Sequence, residues 1–270
     1  MNRRQFITHF SASALALSMP GLAMSAPAAG SSATAIVKAG QQRVLSQRST
    51  KAWLMQALGI MPEKAGRWLA ESITQFDRQL EELEGLGSTS ALGLLVRLDA
   101  DWRSLKEALA AAPSQATAED VFTRSDAVLT SADMAVRAFE KLSGTRVGWL
   151  INTSGRQSML SQRAADFVYF NAFGINSGEA REGLERVRAD FAEGLAELKE
   201  APENTDKITR ELALAEQQWF LFEGALSDAS SPRALKDIAT TSELMLRQLN
   251  VLDELYADLP IREDVMMKDA

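Results

Sequence analysis

The chain has 270 residues, enough for one large or two modest domains, and its 46% hydrophobic and 24% charged content is that of a globular protein. It contains no cysteine, which excludes disulfides, thiolate metal sites and iron–sulfur clusters, and its one histidine, His9, lies in a segment that reads as a leader, so a mature chain without it has no Ser-His or Cys-His nucleophile pair. The formal charge of −7, which becomes −9 without Arg3 and Arg4, argues against a nucleic-acid partner, since phosphate binding needs a basic face. Carboxylate chemistry is all that remains of the usual catalytic repertoire, so neither enzymatic activity nor a cofactor is expected.

Residues 1–28 read as an export signal: a basic start, a weakly apolar stretch from Ala12 to Met24, and Ala26-Pro27-Ala28 as a small-residue cleavage site. Arg3-Arg4, one further residue and then Phe6-Ile7 resemble a twin-arginine signal; an ordinary Sec leader has the same overall layout. Both routes deliver the mature chain to a bacterial periplasm. No later segment is apolar enough to span a bilayer, so a soluble protein is expected.

From residue 35 onward the pattern is helical throughout, with apolar residues three and four apart, as in Phe76-Leu80-Leu83 and Met245-Leu249-Leu252-Tyr256. Pro62, Pro113, Pro202, Pro232 and Pro260 punctuate it, as do Gly85 to Ser90, Asn176 to Gly178 and, more weakly, Ser143-Gly144-Thr145. These breaks predict about eight helices of roughly 20–28 residues, a length suited to bundles.

The helices repeat. Ala39 to Arg48 and Ser154 to Arg163 agree at Gly, Gln, Leu, Ser, Gln and Arg, in the register that takes Leu45 to Leu160. The same offset of 115 then takes Ala57, Gly59, Ile60, Phe76, Leu80, Glu82 and Leu83 to Ala172, Gly174, Ile175, Phe191, Leu195, Glu197 and Leu198. Two inserted residues later, Trp102, Ala108 and Leu109 meet Trp219, Ala225 and Leu226. The expected fold is therefore all-α: two tandem antiparallel four-helix bundles, 35–144 and 145–260, behind the export signal. Gly144 and Gly148 decide whether the bundles stack end to end or lie side by side.

In each copy the repeated segment opens on a glycine, Gly40 or Gly155, and in copy one Arg43, Ser46, Gln47 and Thr50 fall on one helical stripe. A glycine inside a helix needs a reason, such as close approach of a backbone or ligand. Arginine, glutamine, serine and threonine supply donors suited to a small planar oxyanion such as nitrate, nitrite or a carboxylate. A solvated face or an interhelical hydrogen-bond network would carry the same residues.

The run Ala39-Gly40-Gln41-Gln42-Arg43-Val44-Leu45-Ser46-Gln47-Arg48 resembles the A-G-R-Q-R-M-L-S-Q-R signature of the PilJ-type sensor domain, named for the type IV pilus methyl-accepting chemotaxis transducer. That family is similar to the periplasmic sensor domain of the nitrate/nitrite kinases NarX and NarQ. The resemblance covers both repeats and implies four-helix sensor bundles. It further implies an anion held between two first helices, each giving one arginine. Arg43 matches that position in copy one, but copy two has Ser158 there, with Arg156 two residues earlier. Three arrangements follow: Arg43 faces Arg156, Arg43 faces Arg43 of a second molecule in a homodimer, or the ligand is not nitrate. The expected ligand-binding residues are Gly40, Arg43, Ser46, Gln47, Gly155, Arg156, Ser158, Ser161 and Gln162. No kinase or chemoreceptor coiled coil follows the repeats, so the chain is expected to report to a separate membrane sensor or chemoreceptor. The competing reading is a helical adaptor that docks on a membrane receptor without a ligand. The five tryptophans read as packing, Met266-Met267 as a weak copper signal, and the acidic pairs Glu81-Glu82 and Asp253-Glu254 as solvated faces.

Overall fold

The computed structural model describes residues 29–86, 89–175, 177–227, 229 and 231–260. The export-signal reading of 1–28 and the Met266-Met267 pair lie outside the described residues. Within them are eight helices and no strand: α1 (Ala29–Ala57), α2 (Pro62–Leu86), α3 (Thr89–Ala110), α4 (Gln115–Ser143), α5 (Arg146–Phe173), α6 (Ser177–Lys199), α7 (Asp206–Ser227) and α8 (Pro232–Ala257). Pro62 and Pro232 open α2 and α8, where a missing N–H costs nothing; Pro113, Pro202 and Pro260 fall between or beyond helices. No described helix is long and apolar enough to cross a membrane.

The repeat is visible atom by atom. α1 and α5 end in the same cap: Gly59 and Gly174 adopt left-handed φ of 68° and 83°. The next amide reaches back five residues, Ile60 N to Met55 O at 2.7 Å and Ile175 N to Phe170 O at 2.9 Å. Both isoleucines are buried, which fastens the turn to the core. Between α2 and α3 Phe76 stacks on Trp102 at 3.8 Å between centroids; between α6 and α7 Phe191 stacks on Trp219 at 3.7 Å. The two extra residues of the second copy fall in the α6–α7 connection. Trp53, Trp102 and Trp219 are core residues, whereas Trp68 and Trp149 are half-buried beneath cations, Arg146 lying 3.8 Å above Trp149.

The bundles lie side by side. Gly144, left-handed at φ 59°, caps α4, and the Thr145 hydroxyl accepts from Gly148 N to start α5, so the chain reverses direction between them. α5 then packs along α1, and the contacts Arg43–Asn152 and Lys51–Gln162 advance in the same direction on both helices, which are therefore parallel. α1 contacts α2, α4 and α5; α5 contacts α6, α8 and α1. Each is enclosed on nearly every side, and this explains why neither shows the one-sided apolar stripe of α2 or α8.

Candidate functional site

Both copies of the glycine-led segment lie in the α1–α5 seam, and most of their polar residues, Arg156 excepted, are buried or half-buried in it. Ser46 and Ser161 turn their hydroxyls onto their own helices, donating to Arg43 O at 2.9 Å and Ser158 O at 2.7 Å. The glutamines reach outward. Gln47 Nε2 donates to Ser125 Oγ on α4 at 3.2 Å, and Gln162 Nε2 donates to Ser242 O on α8 at 3.1 Å. Their carbonyl oxygens accept from the opposite bundle: Gln47 from Arg163 Nη1 at 3.0 Å, Gln162 from Lys51 Nζ at 2.5 Å. The last arginine of each segment also crosses the seam, Arg48 to Glu243 on α8 at 3.0 Å and Arg163 to Asp126 on α4 at 2.8 Å. Of the arrangements open to the stripe, the structure builds a network between helices.

Arg43 is 1% exposed. Its Nη1 donates to Asp133 on α4 at 2.9 Å, and its Nη2 donates to Asn152 Oδ1 at 2.8 Å and Asn152 O at 3.2 Å; its Nε has no partner. Burial works against its charge and Asp133 favours it. Burial likewise disfavours the Asp133 carboxylate, but Arg43 and Arg137 outweigh that and lower its pKa. Gly40 and Gly155 flank the guanidinium: a Cβ on either would stand 3.6 or 3.7 Å from Nη2. Those are ordinary contacts, so the two glycines are less tightly enclosed than Gly183 or Gly194, where a Cβ would fall 2.4 Å from the Phe167 ring or 2.2 Å from Gln157 Nε2.

Arg156 does not join Arg43 in a clamp. It points to α6, where Nη2 meets Asp190 at 2.7 Å, and its side chain is 44% exposed. Ser158, which stands where copy one has Arg43, is buried and donates to Asp253 at 3.0 Å, as Ser154 does at 2.5 Å. Asp253 is therefore not on a solvated face: it is buried beneath α5, and burial raises its pKa to about 6 against the two hydroxyls. Glu81 and Glu82 do stand on the surface.

A cavity of about 250 Å³ opens at the Arg43 end of the seam. Arg43, Asn152 and Gln157 line it from within; Arg137 and Arg156 bring further cations, and Asp133, Glu140, Glu193 and Glu197 bring carboxylates. It is mixed in charge, and it is smaller than the roughly 300–1,000 Å³ of drug-sized pockets.

Sequence reasoning passed over a second polar cluster, at the other end of the seam. Lys51, fully buried, donates to Glu243 at 2.7 Å and Ser242 Oγ at 3.0 Å, beside Gln162. Burial opposes both charges. It lowers the Lys51 pKa, but Lys51 and Arg48 together still hold Glu243 down at about 2. Asp166 occupies the register of Lys51 in copy two. It is buried with no hydrogen-bond partner on either oxygen, and burial pushes its pKa well up. The signal was present, since Arg48 and Arg163 match in both copies, but Lys51 and Asp166 differ in sign and escaped a search for identities. Among the described residues no group of acidic or histidine side chains could hold a metal ion.

The sequence profile of the PilJ family, described as Type IV pili methyl-accepting chemotaxis transducer N-term, matches residues 27–127 and again 143–250. No curated protein and no solved structure matches the chain significantly.

Proposed function

This chain belongs to the PilJ family, and from that membership we propose that it is an exported, periplasmic ligand-sensing protein that takes a small anion at Arg43 and reports to a separate membrane partner. The observation that carries the reading is the position of Arg43. Its guanidinium is buried where two parallel helices from different bundles meet, it lines a cavity, and its one carboxylate partner is replaceable. Asp133 also holds Arg137 at 2.6 Å, so an incoming oxyanion can take its place on Arg43 while Asp133 keeps a cation. The exchange frees α4 from α1 at that point and shifts the packing of one bundle on the other, a change that a receptor can read.

Calorimetric titration of the mature chain with nitrate, nitrite and acetate tests this. Binding that disappears in Arg43→Ala is expected. No heat and no thermal shift at about millimolar ligand, or binding unchanged in Arg43→Ala, overturns it. Export is checked by cell fractionation: replacing Arg3 and Arg4 by lysine is expected to retain the chain in the cytoplasm if the twin-arginine route is used.

One surface observation favours the adaptor reading. On α7 Phe220 is 75% and Leu221 58% exposed, and the same register of α3 has Arg103 and Ser104. A membrane receptor would dock on that apolar patch without a ligand. Crosslinking to the receptor in ligand-free cells, lost in Phe220→Lys, is the expected outcome; crosslinking unaffected by that change rejects it.

A further inference from the structure

Copy one and copy two treat the same buried glutamine differently. In copy one Gln42 Nε2 donates to Gln79 Oε1 at 3.2 Å while Gln42 Oε1 has no partner, and Gln79 in turn donates to Gln41, so the copies differ at the amide nitrogen. Copy two keeps the first glutamine, as Gln157, but Gly194 stands in the register of Gln79 and Arg156 in that of Gln41. Gln157 is fully buried, and neither its amide nitrogen nor its carbonyl oxygen has a partner. An unpaired buried amide is expensive, and native proteins carry few of them. Its amide lies against Gly194, and both residues line the cavity that also holds Arg43. Around that amide the cavity offers cations at Arg43 and Arg156 and carboxylates at Glu140, Glu193 and Glu197.

We propose that the cavity takes a small zwitterion bearing a primary carboxamide, the chemical class of glutamine and asparagine, whose amide pairs with Gln157 as Gln79 pairs with Gln42. The assignment rests on the anion reading above and sharpens it. The ligand's carboxylate goes to Arg43, its ammonium to the glutamates of the rim, and its amide, which both donates and accepts, meets the two open valences of Gln157. A carboxylate in place of that amide would leave Gln157 Oε1 facing another acceptor, so glutamate and aspartate are disfavoured by about tenfold or more.

The test is calorimetry on the full mature chain with L-glutamine, L-asparagine, L-glutamate, L-aspartate and sodium nitrate. The expected result is binding of an amide amino acid that exceeds binding of its acid counterpart. Gly194→Gln, which places the copy-one partner beside Gln157, should abolish that binding. Gln157→Leu gives a second measure should Gly194→Gln not fold: the preference for amide over acid should vanish. Nitrate binding that depends on Arg43, with no heat from any amide amino acid, overturns this proposal and spares the anion reading; silence toward every probe removes both. An amide amino acid that binds Gly194→Gln and Gln157→Leu as tightly as the native chain also overturns the proposal.

Discussion

Two bundles cut from one pattern show which positions hold the scaffold and which were released. The caps at Gly59 and Gly174, the Phe–Trp stacks and the seam-crossing Gln47, Gln162, Arg48 and Arg163 are the same in both. The differences gather in the seam and its cavity: Arg43 against Ser158, Lys51 against Asp166, Gln79 against Gly194. Two identical chains meeting at such a seam would have to change both sides at once. A duplicated chain can place a cation on one side and a carboxylate on the other, so the divergent positions mark where charge balance is set, and the matched ones mark what keeps the helices together.

The sharpest way to break that comparison is at the Lys51–Asp166 register. Lys51→Met removes the ammonium from Glu243, Ser242 and Gln162 and should cost about 3 kcal/mol, the low end for a broken buried pair because Arg48 still neutralises Glu243. Asp166→Asn should have the opposite sign. An acid whose pKa is raised by folding is stabilising only while protonated, so the native chain loses stability as pH climbs from about 4 through the folded pKa. Urea unfolding should therefore find Asp166→Asn equal to the native chain near pH 4 and more stable at pH 7. If the variant is weaker at pH 7, the carboxylate has a partner that the comparison overlooks.

A smaller contrast separates the two seam-crossing arginines. Arg48 grips Glu243 through Nε and Nη2 and also donates to Ser72, and both ionic partners are largely buried. Arg163 meets Asp126, whose side chain is 43% exposed. Arg48→Ala should cost about 2–3 kcal/mol and Arg163→Ala about 1 kcal/mol, since solvent screens the second pair. Glu243 is lowered by folding, so its contribution is present above the unfolded carboxylate pKa and fades as pH falls toward about 2. The deficit of Arg48→Ala should shrink over the same interval. A deficit independent of pH would mean that the arginine acts through packing alone.

The fold was legible because its signals are local or periodic. Prolines, glycine breaks and the 115-residue register each follow from backbone geometry or duplication, and each lies where the helices begin, end or match. The site was legible only in part. Arg43 could be picked out by type and recurrence, but its partners Asp133 and Asn152 lie 90 and 109 residues away on other helices, and no spacing rule reaches them. Asp253 misled for the same reason: beside Glu254 it reads as a surface acid, and only the packing of α8 on α5 turns it inward onto Ser154 and Ser158. Gln157 was visible only as a match to Gln42; that its amide is unpaired gave no signal, because that is a property of what surrounds it.

Glycine is where sequence and structure divide most finely, and it supplies the smallest expected effect. Gly40 and Gly155 drew notice as helix-interior glycines beside a recurrent motif, yet a Cβ on either would only touch Arg43 at van der Waals distance. Gly155→Ala should therefore be accommodated, and it should gain up to about 0.5–1 kcal/mol from the reduced entropy of the unfolded chain. Gly183→Ala, forced against the Phe167 ring, should instead destabilise. Thermal unfolding of the two variants side by side measures both signs. If Gly155→Ala is as stable as expected and still answers the anion titration, the glycine persists as part of the duplicated pattern. If it is stable and the response is gone, the missing methyl is what admits a ligand to the Arg43 fork, and the notch belongs to the sensor rather than to the scaffold.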